Sequence, residues 1–409
     1  MLKDEMKIEE MLNKEQLLVY NYAKLLKEKN SVFQYIEDES FNGRFFTING
    51  KKYLHFANCS YMGLEKNPML IEESIKALRN YGTQTSNSRG TISLPLYKKI
   101  EDLLPEIFPG NHVITKTVTL GHFSVLPLLI QENDAIIIDA YVHNSIRMAS
   151  ETCRAKGTLI LPSKHNDMDH VQYLIKRLKS EGKNRIWYCA DSIYSMHGDF
   201  IDIAGLENLL NKEERFFAYI DDAHGTGWYG KKGCGYVFEN MNIHPKMIVI
   251  ESFAKSFASC GGVIVVKNKD ISDVIRMTGQ TMLFSGPLQP SVLGAIIGSI
   301  KVHLSSEFTS MQNELIKLIQ HFRTTCLKLE IPIISSFESP IQLIKIGDVH
   351  KTIQVLKKLL EKGFFTTSAV YPAVAEGDSG IRVSLTRHLK NKDIENFLLE
   401  VSKIITELK

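Results

Sequence analysis

Residues 219–227 read YIDDAHGTG, and the segment SFAKSF, residues 252–257, follows further along the chain. The first stretch places Asp221 at the end of an apolar run and His224 three residues beyond it. A carboxylate at the end of a buried parallel strand lies where ligands of α/β proteins gather. Lys255 in the second segment follows another apolar run and stands among small and aromatic residues. The pattern predicts an α/β sheet whose strand ends bring an acid, a histidine and an amine into one site.

Pyridoxal 5'-phosphate (PLP) chemistry needs this set of groups. A lysine amine forms a Schiff base with the cofactor's aldehyde, and a carboxylate keeps the pyridinium nitrogen protonated so that the ring withdraws electrons. Taken singly, Asp221 is an ordinary strand-end acid, His224 a loop histidine and Lys255 a surface lysine. Their order and spacing together favour PLP as the cofactor, with Lys255 and Asp221 in these two roles.

Composition bounds the class of protein. The chain has 409 residues, 44% of them hydrophobic and 23% charged, with a net charge of +3. These values are ordinary for a globular protein and indicate neither nucleic acid nor a membrane surface as a partner. The six cysteines form no CxxC pair, so no metal site is predicted, and no apolar run is long enough to span a membrane. Without a signal peptide, reduced thiols and a cytoplasmic location are expected.

Short apolar runs alternate with helical patterns through most of the chain. This alternation is typical of a mostly parallel sheet buried on both faces. The fold class predicted is α/β, a large domain with a mostly parallel central sheet plus a smaller C-terminal α+β domain. We expect an N-terminal helical segment and hairpin over residues 1–52, with helix to about residue 40. A large PLP-binding domain would span 53–290 and a small domain 291–409. The predicted strands of the large domain cover residues 113–115, 135–139, 157–161, 185–191, 216–221, 247–252 and 262–266.

Four further segments carry a family resemblance. They read DAYVHNS at 139–145, DSIYSMHGD at 191–199, FSGPLQP at 284–290 and GIRVSLT at 380–386. With the acid, histidine and lysine described above, they resemble in the same order the motifs of the α-oxoamine synthase family of fold-type I PLP enzymes. The resemblance covers most of the chain, from about residue 53 to residue 398.

The resemblance implies a catalytic set of Lys255, His143, Asp221 and His224. The matching histidines of the family stack on the pyridine ring (His143) and contact its phenolic oxygen (His224). Gly121 with His122 resembles a pair whose backbone amides hold the phosphate at a helix start. The cofactor-binding residues implied in this way are Gly121, His122, His143, Asp191, Ser195, Asp221, His224, Ser252, Lys255 and Ser285.

Substrate-binding residues follow from the same resemblance. Arg382 matches the arginine that binds the amino-acid carboxylate, for which a guanidinium fork is well suited. Ser60 stands where an asparagine would help to hold that carboxylate, and Arg89 matches a segment that lines the site. His197 takes the place of a usual aspartate and is interpreted as a solvent-facing turn residue.

The resemblance implies a homodimer with its active site at the interface and Ser285 reaching the partner's phosphate. The reaction expected is condensation of an amino acid with an acyl thioester, carried by CoA or an acyl carrier protein, with decarboxylation to an α-amino ketone. Neither the amino acid nor the acyl length follows from the sequence. The alternatives are an aminotransferase on the same fold and an inactive partner chain, against which the retention of Lys255 argues. A metal hydrolase built on His165, Asp167, Asp169 and His170 is less favoured than a polar loop.

Overall fold

The computed structural model describes residues 11–28, 31–335 and 337–408. Its strands are β1 Phe45–Ile48, β2 Lys51–His55, β3 Asn111–Thr115, β4 Ala135–Asp139, β5 Leu159–Ser163, β6 Ile186–Asp191, β7 Phe216–Asp221, β8 Met247–Ser252, β9 Gly262–Val266, β10 Ile341–Gly347, β11 Phe364–Phe365, β12 Thr367–Ala369 and β13 Ser379–Ser384. Its helices are α1 Lys14–Glu28, α2 Pro68–Tyr81, α3 Pro95–Leu103, α4 Val118–Leu129, α5 Asn144–Arg154, α6 Met168–Ser180, α7 Ile203–Lys212, α8 Gly235–Asn240, α9 Lys269–Thr278, α10 Gln280–Leu283, α11 Pro290–His303, α12 Phe308–Lys328, α13 Val349–Glu361 and α14 Asn391–Glu407.

The centre of the molecule is a seven-stranded sheet in the order β3-β9-β8-β7-β6-β4-β5. Its strands run parallel except β9, which pairs antiparallel with both of its neighbours. Alternate residues of β4 pack into separate hydrophobic cores on the two faces of the sheet. Ala135 and Ile137 belong to one core, and Ile136 and Ile138 belong to the other. Since side chains alternate along a strand, a continuous apolar run is what burial on both faces requires. The predicted α/β fold with a mostly parallel sheet is confirmed.

Two smaller sheets lie outside the central one. β10, β13 and β12 form an antiparallel sheet near the C-terminus, and β1 and β2 form the predicted N-terminal hairpin. β2 also pairs in parallel with β11, so the hairpin belongs structurally to the C-terminal part of the chain. The prediction of helix to about residue 40 is wrong for residues 31–40, which are not helical. Residues 1–10 of that prediction lie outside the described residues.

Helices α2 and α11 pack against each other at a distance that only glycine permits. A Cβ on Gly294 would lie 2.3 Å from the backbone oxygen of Glu73, and one on Gly298 would lie 2.6 Å from that of Met69. These distances are shorter than any carbon–oxygen contact, so a larger residue at either position would separate the helices. Among the described residues, none of the helices is long and apolar enough to cross a membrane.

Candidate active site

A cavity of about 270 Å³ lies at the carboxyl ends of β6, β7 and β8, beside the first turn of α4. This is the edge of a parallel sheet at which ligands usually bind. The structure brings six of the predicted site residues together in its walls: His143, Asp191, Asp221, His224, Ser252 and Lys255. A larger cavity of about 750 Å³ beside Trp228 contains none of the predicted residues.

Lys255 follows β8 and lines this cavity. No hydrogen bond or ion pair of its ammonium is found within the described residues. Burial is the main cause that lowers the pKa of Lys255, and Arg382 adds to it, while the negative charge of Asp221 acts in the opposite direction. The side chain is therefore a partly buried amine that loses its proton more readily than an exposed lysine.

Asp221 ends β7 with its side chain held from two sides. Oδ1 accepts the backbone N–H of Ala223 at 2.9 Å, and Oδ2 lies 3.2 Å from Nε2 of His122. Burial acts to raise the pKa of Asp221, but the imidazole of His122 and the charge of Lys255 outweigh it and lower the pKa to about 2. Asp221 is a buried acid that stays ionised at neutral pH.

Asp191 stands opposite Asp221 on the neighbouring strand, because the register of β6 and β7 pairs these two residues. Its Oδ1 accepts the backbone N–H of His143 at 3.1 Å. Burial and the nearby charge of Asp221 raise the pKa of Asp191 well above its usual range. The pKa values of the two carboxyls are thus shifted in opposite directions, as is expected of two interacting acids in one site.

Two histidines occupy the cavity wall in neutral form. Nδ1 of His143 lies 2.6 Å from Oγ of Ser145 at the start of α5, and Nδ1 of His224 lies 2.8 Å from the hydroxyl of Tyr61. Burial is the largest cause that lowers the pKa of both, and Lys255 adds to it for each. If Tyr61 donates to Nδ1 of His224, the proton of that imidazole is on Nε2, which leaves an N–H donor for a ligand.

The start of α4 corrects the prediction for Gly121 and His122. The amide of Gly121 already donates to the backbone oxygen of Thr117 at 3.0 Å, so it cannot bind a phosphate. A Cβ on Gly121 would lie 2.4 Å from Cδ1 of Ile250, which shows that this glycine serves helix–sheet packing. The cavity is lined one turn earlier by Val118 and Thr119, whose amides, at the first two positions of the helix, have no partner within the described residues. Unpaired amides at a helix start suit an anion.

The three serines predicted to bind the cofactor lie in different surroundings. Ser252 lines the cavity, and its Oγ accepts the backbone N–H of Ala254 at 3.1 Å. The backbone oxygen of Ser195 accepts a hydrogen bond from Nε of Arg382 at 2.7 Å. Oγ of Ser285 donates to the backbone oxygen of Thr281 at 2.6 Å, and Ser285 does not line the cavity.

Arg382 lies on β13 with its side chain buried near the cavity, since its charge affects Lys255 and His224. Its Nη1 donates to Oγ of Ser384 at 3.0 Å, and its Nη2 lies 3.9 Å from Sγ of Cys59. Within the described part of the chain no carboxylate lies within 4.0 Å of the guanidinium. A buried guanidinium without an acid beside it is a site for an anionic ligand.

Cys59 and Tyr61 are the residues of the 58–64 segment that reach Arg382, whereas Ser60 was the residue of this segment predicted to bind substrate. Ser60 is buried, and its Oγ has no hydrogen-bond partner within the described residues. The turn that follows is strained, because Tyr61 has φ +34°. Two contacts hold it there: its hydroxyl meets His224, and its backbone oxygen accepts the N–H of Arg387 at 2.9 Å.

Arg89 does not line the cavity, contrary to the prediction. Its guanidinium donates to Glu101 and to the backbone oxygen of Ile114, and it stacks 4.0 Å above the ring of Tyr97. Glu101 in turn pairs with Arg276. Arg89 therefore fastens its segment to α3 and β3 in this chain.

Two buried acids behind the cavity were not predicted as site residues. Asp222 accepts hydrogen bonds from Oγ of Ser192 and, at 2.9 Å, from the backbone N–H of Val237. Oγ1 of Thr226 lies 2.6 Å from the backbone oxygen of Asp222 and 2.5 Å from Oε2 of Glu251. A hydroxyl has one proton, and a carbonyl oxygen can only accept. If Thr226 donates to the backbone oxygen of Asp222, the Glu251 carboxyl supplies the second proton, which favours the neutral form of Glu251.

The electrostatics of these two acids agree with that proton count. Burial and the neighbouring Asp222 raise the pKa of Glu251 well above its usual range. Burial also raises the pKa of Asp222 to about 7. The doublet Asp221-Asp222 in the sequence was a signal for the second acid, but nothing local indicated that Glu251 would face it.

Of the four residues in the metal hypothesis, His165 belongs to an ion-pair network, while Asp167 accepts the backbone N–H of His170 at the start of α6. His165 bridges two acids, with Nδ1 2.9 Å from Oδ1 of Asp139 and Nε2 2.7 Å from Oδ2 of Asp199. Burial alone would lower the pKa of His165, but the two acids raise it to about 9. His197 is buried and stacks on Tyr141 at 4.8 Å, so its interpretation as solvent-facing is wrong. No group of metal-ligating residues is found among the described residues.

With this geometry in place, comparisons with known proteins define the class. Residues 109–400 match the family model for aminotransferase class I and II. The chain is 30% identical to a putative 8-amino-7-oxononanoate synthase of Thermodesulfovibrio yellowstonii, over 90% of this chain and 93% of that protein. It is 29% identical to a serine palmitoyltransferase of Bacteriovorax stolpii, over 92% of this chain and 88% of that protein. The protein belongs to the aminotransferase class I and II family and, within it, to the α-oxoamine synthases.

Solved structures confirm the fold. A serine palmitoyltransferase of S. paucimobilis with bound PLP–myriocin superposes with a TM-score of 0.87 at 20% identity, covering 97% of this chain and 98% of that chain. An 8-amino-7-oxononanoate synthase of Francisella tularensis gives a TM-score of 0.73, covering 87% of this chain and 98% of that chain. The protein has the fold of fold-type I PLP enzymes.

Proposed function

We propose that the protein is a PLP-dependent enzyme that condenses an amino acid with an acyl thioester and releases CO2, giving an α-amino ketone. The observation that carries the proposal is one cavity that joins two groups. They are Lys255, whose amine has no hydrogen-bond or ion-pair partner among the described residues, and Asp221, a buried acid that stays ionised. PLP matches both groups, because its aldehyde reacts with an amine such as Lys255 and its protonated ring nitrogen pairs with a carboxylate such as Asp221.

The residues present fit PLP at three points. Asp221 would face the ring nitrogen and hold a proton there, because its own pKa is about 2. The unpaired amides of Val118 and Thr119, with Ser252, would hold the phosphate at the start of α4. His143 and His224 line the remaining wall, where a neutral ring can stack and an Nε2–H can donate to the phenolic oxygen.

When bound, PLP supplies an electron sink for charge that develops at the α-carbon of the amino acid. Arg382 would bind the carboxylate, because it is a buried cation with no acid beside it. Lys255 would remove the α-proton, for which its lowered pKa suits it. Asp221 would keep its negative charge opposite the ring nitrogen throughout, and His143 would lie beside the reacting carbon as a neutral donor.

A homodimer is part of the proposal and is supported by the exposed face of α2. Ile71, Ile75 and Leu78 are 42%, 42% and 41% exposed and recur at helical spacing along that face. An apolar stripe of this kind on a surface helix is typical of a protein interface. Phe284, directly before Ser285, is 86% exposed. Sedimentation velocity on wild-type protein and on Ile75→Arg tests this, and a monomeric wild-type protein would contradict it.

The cofactor is tested by borohydride reduction and peptide mapping. Wild-type protein incubated with PLP should retain a pyridoxyl group on the peptide that contains Lys255, whereas Lys255→Ala should retain none. Lys231→Ala is the matched control, since Lys231 lies in a short 3-10 helix, Lys231–Gly233, outside this cavity, and it should behave like wild type. Label on another peptide would place the cofactor elsewhere.

The reaction is tested with a panel of small amino acids and acyl-CoA thioesters. Joint release of free thiol and CO2 in equal amounts is the expected result. Formation of a 2-oxo acid without thiol release would instead identify an aminotransferase. A loaded Lys255 that supports neither reaction would identify an inactive partner chain.

A further inference from the structure

Two side chains, the thiol of Cys59 and the phenol of Tyr61, lie at the guanidinium of Arg382. Nε and Nη1 are taken by the backbone oxygen of Ser195 and by Oγ of Ser384, and Nη2 has Sγ of Cys59 at 3.9 Å. Arg382 is only 7% exposed. A buried cation of this kind needs a counter-charge, and the thiol is the nearest group that can provide one.

The surroundings of Cys59 favour its thiolate. Partial burial acts to raise the pKa of the thiol, but the positive charges of Arg382 and Lys255 outweigh it and hold the pKa below its usual value. The remaining titratable group beside it is Tyr61, whose pKa is raised by full burial, so the phenol stays neutral. Cys59 retains exposed surface and is therefore open to a reagent from the solvent.

We propose that Cys59 is a specificity-determining residue that competes, as a thiolate, with the substrate carboxylate for the guanidinium of Arg382. This inference rests on the proposed function, in which Arg382 binds the carboxylate. The substrate carboxylate binds Arg382 when the Cys59 thiol is protonated. When the thiol is ionised, the thiolate weakens this binding, because two anions then compete for one cation. Amino-acid binding should accordingly weaken as the pH rises through the pKa of Cys59.

Alkylation by iodoacetamide tests the pairing without turnover. The rate of modification at each cysteine is followed by peptide mass spectrometry between pH 5 and pH 10. Cys260 is the internal reference, because it is also half-buried and lines the cavity, but its Sγ contacts only the backbone oxygen of Lys116 at 3.7 Å. Cys59 should react at lower pH than Cys260. In Arg382→Ala its pH midpoint should rise by roughly one to three units, the shift that an adjacent opposite charge causes.

Competition is tested in the same assay. Alanine or serine should slow the alkylation of Cys59, whereas ethylamine, which lacks the carboxylate, should not. A Cys59 profile that coincides with that of Cys260 and does not change in Arg382→Ala would overturn the proposal. So would the absence of protection by every amino acid that the holoenzyme turns over.

Kinetics of two variants complete the test. Cys59→Ser cannot ionise, so its amino-acid KM should lose the rise with pH that wild type shows. Cys59→Asp carries a permanent charge and should raise that KM about tenfold or more at every pH, with the thioester KM unchanged. Cys260→Ser should keep the rise of the amino-acid KM with pH, because Sγ of Cys260 meets the backbone oxygen of Lys116 and not Arg382. If no amino acid is turned over, the proposed function fails, while the alkylation profiles still decide whether Cys59 and Arg382 form a pair.

Discussion

Nε2 of His122 lies 3.2 Å from Oδ2 of Asp221, and the other nitrogen of the same ring lies 2.8 Å from the hydroxyl of Tyr219. Tyr219 and Asp221 are two residues apart on β7 and therefore point to the same face of the sheet. One imidazole from α4 joins both side chains and stabilises the ionised form of Asp221. The charge that the proposed cofactor needs is set by a residue that does not line the cavity.

Replacing His122 by phenylalanine should raise the pKa of Asp221, because the ring keeps its size but loses the nitrogen that lies 3.2 Å from Oδ2 of Asp221. Asp221 contributes its charge above its pKa and loses it as the pH falls through that value. The acid limb of the kcat/KM profile should therefore move to higher pH by about one unit or more. His122→Gln, whose amide can take the place of Nε2, can still donate to Asp221 and should show a smaller shift. Identical acid limbs in wild type and both variants would contradict this role.

Asp221→Asn should keep PLP bound but lower kcat by roughly 10² or more, since a neutral amide cannot hold a proton on the ring nitrogen. Absorbance of the protein after gel filtration measures retained PLP, and thiol release measures turnover. Asp222→Asn is the control: its side chain faces Ser192 and Val237, so it should affect stability more than kcat. The reverse ranking would assign the ring nitrogen to Asp222.

Arg382→Ala should raise the amino-acid KM by an amount equivalent to roughly 2–4 kcal/mol, the cost of a lost buried charge-assisted pair. The thioester KM should change much less, because that substrate has no carboxylate for Arg382. Initial rates measured against each substrate in turn separate the two constants. If both moved together, or neither did, Arg382 would not be the carboxylate anchor.

His165 should make the stability depend on pH in the alkaline range. The pKa of His165 is raised to about 9 from an unfolded value of 6.5, so its ion pairs stabilise the fold fully below pH 6.5. That contribution is lost as the pH rises through 9 and has an upper limit of about 3 kcal/mol. Denaturant titrations at pH 6 and pH 10 should show His165→Gln destabilised at pH 6 and close to wild type at pH 10. His170→Gln, which removes no ion pair within the described residues, should show no such difference.

Glu251→Gln should change the stability of the protein very little. Glutamine has the shape of a neutral glutamic acid, and its amide can donate to Thr226 as the protonated carboxyl would. Glu251→Ala should be clearly less stable, by about 2–4 kcal/mol, because it leaves a cavity and an unsatisfied hydroxyl. Thermal unfolding of the two variants compares them. A strong destabilisation by glutamine would mean that Glu251 is ionised in the folded protein.

The sequence predicted well those features that depend on neighbours along the chain. Asp221, His224, Asp191 and Lys255 stand at or just after apolar strands, and parallel strands necessarily bring their carboxyl ends to one edge. The helix start that lines the cavity lies one turn before Gly121, the position predicted for phosphate binding. The capping signal was present, because Thr117 accepts the amide of Leu120, but the glycine was read as the start of the helix.

The remaining features depend on contacts between distant segments. Cys59 and Arg382 are far apart in the sequence but adjacent in the fold. Only the folded structure shows that Cys59, and not Ser60, lies beside the guanidinium. Arg89 was expected to line the site, yet Glu101 and Tyr97 on α3 bind it instead. His197 is covered by Tyr141, and no local pattern distinguishes a covered turn from an exposed one.

The pairing of β2 with β11 has a consequence for synthesis of the protein. β2 and the Cys59 segment leave the ribosome early, but their partners, β11 and the Ser384 N–H that donates to the backbone oxygen of Phe56, are made near the end. Phe56 and Tyr61 also share a hydrophobic core with Ile381, Val383 and Phe397. The segment that brings Cys59 to Arg382 is therefore completed only after nearly the whole chain has been made, and a polypeptide that stops before β13 would lack both Arg382 and the strand that contacts this segment.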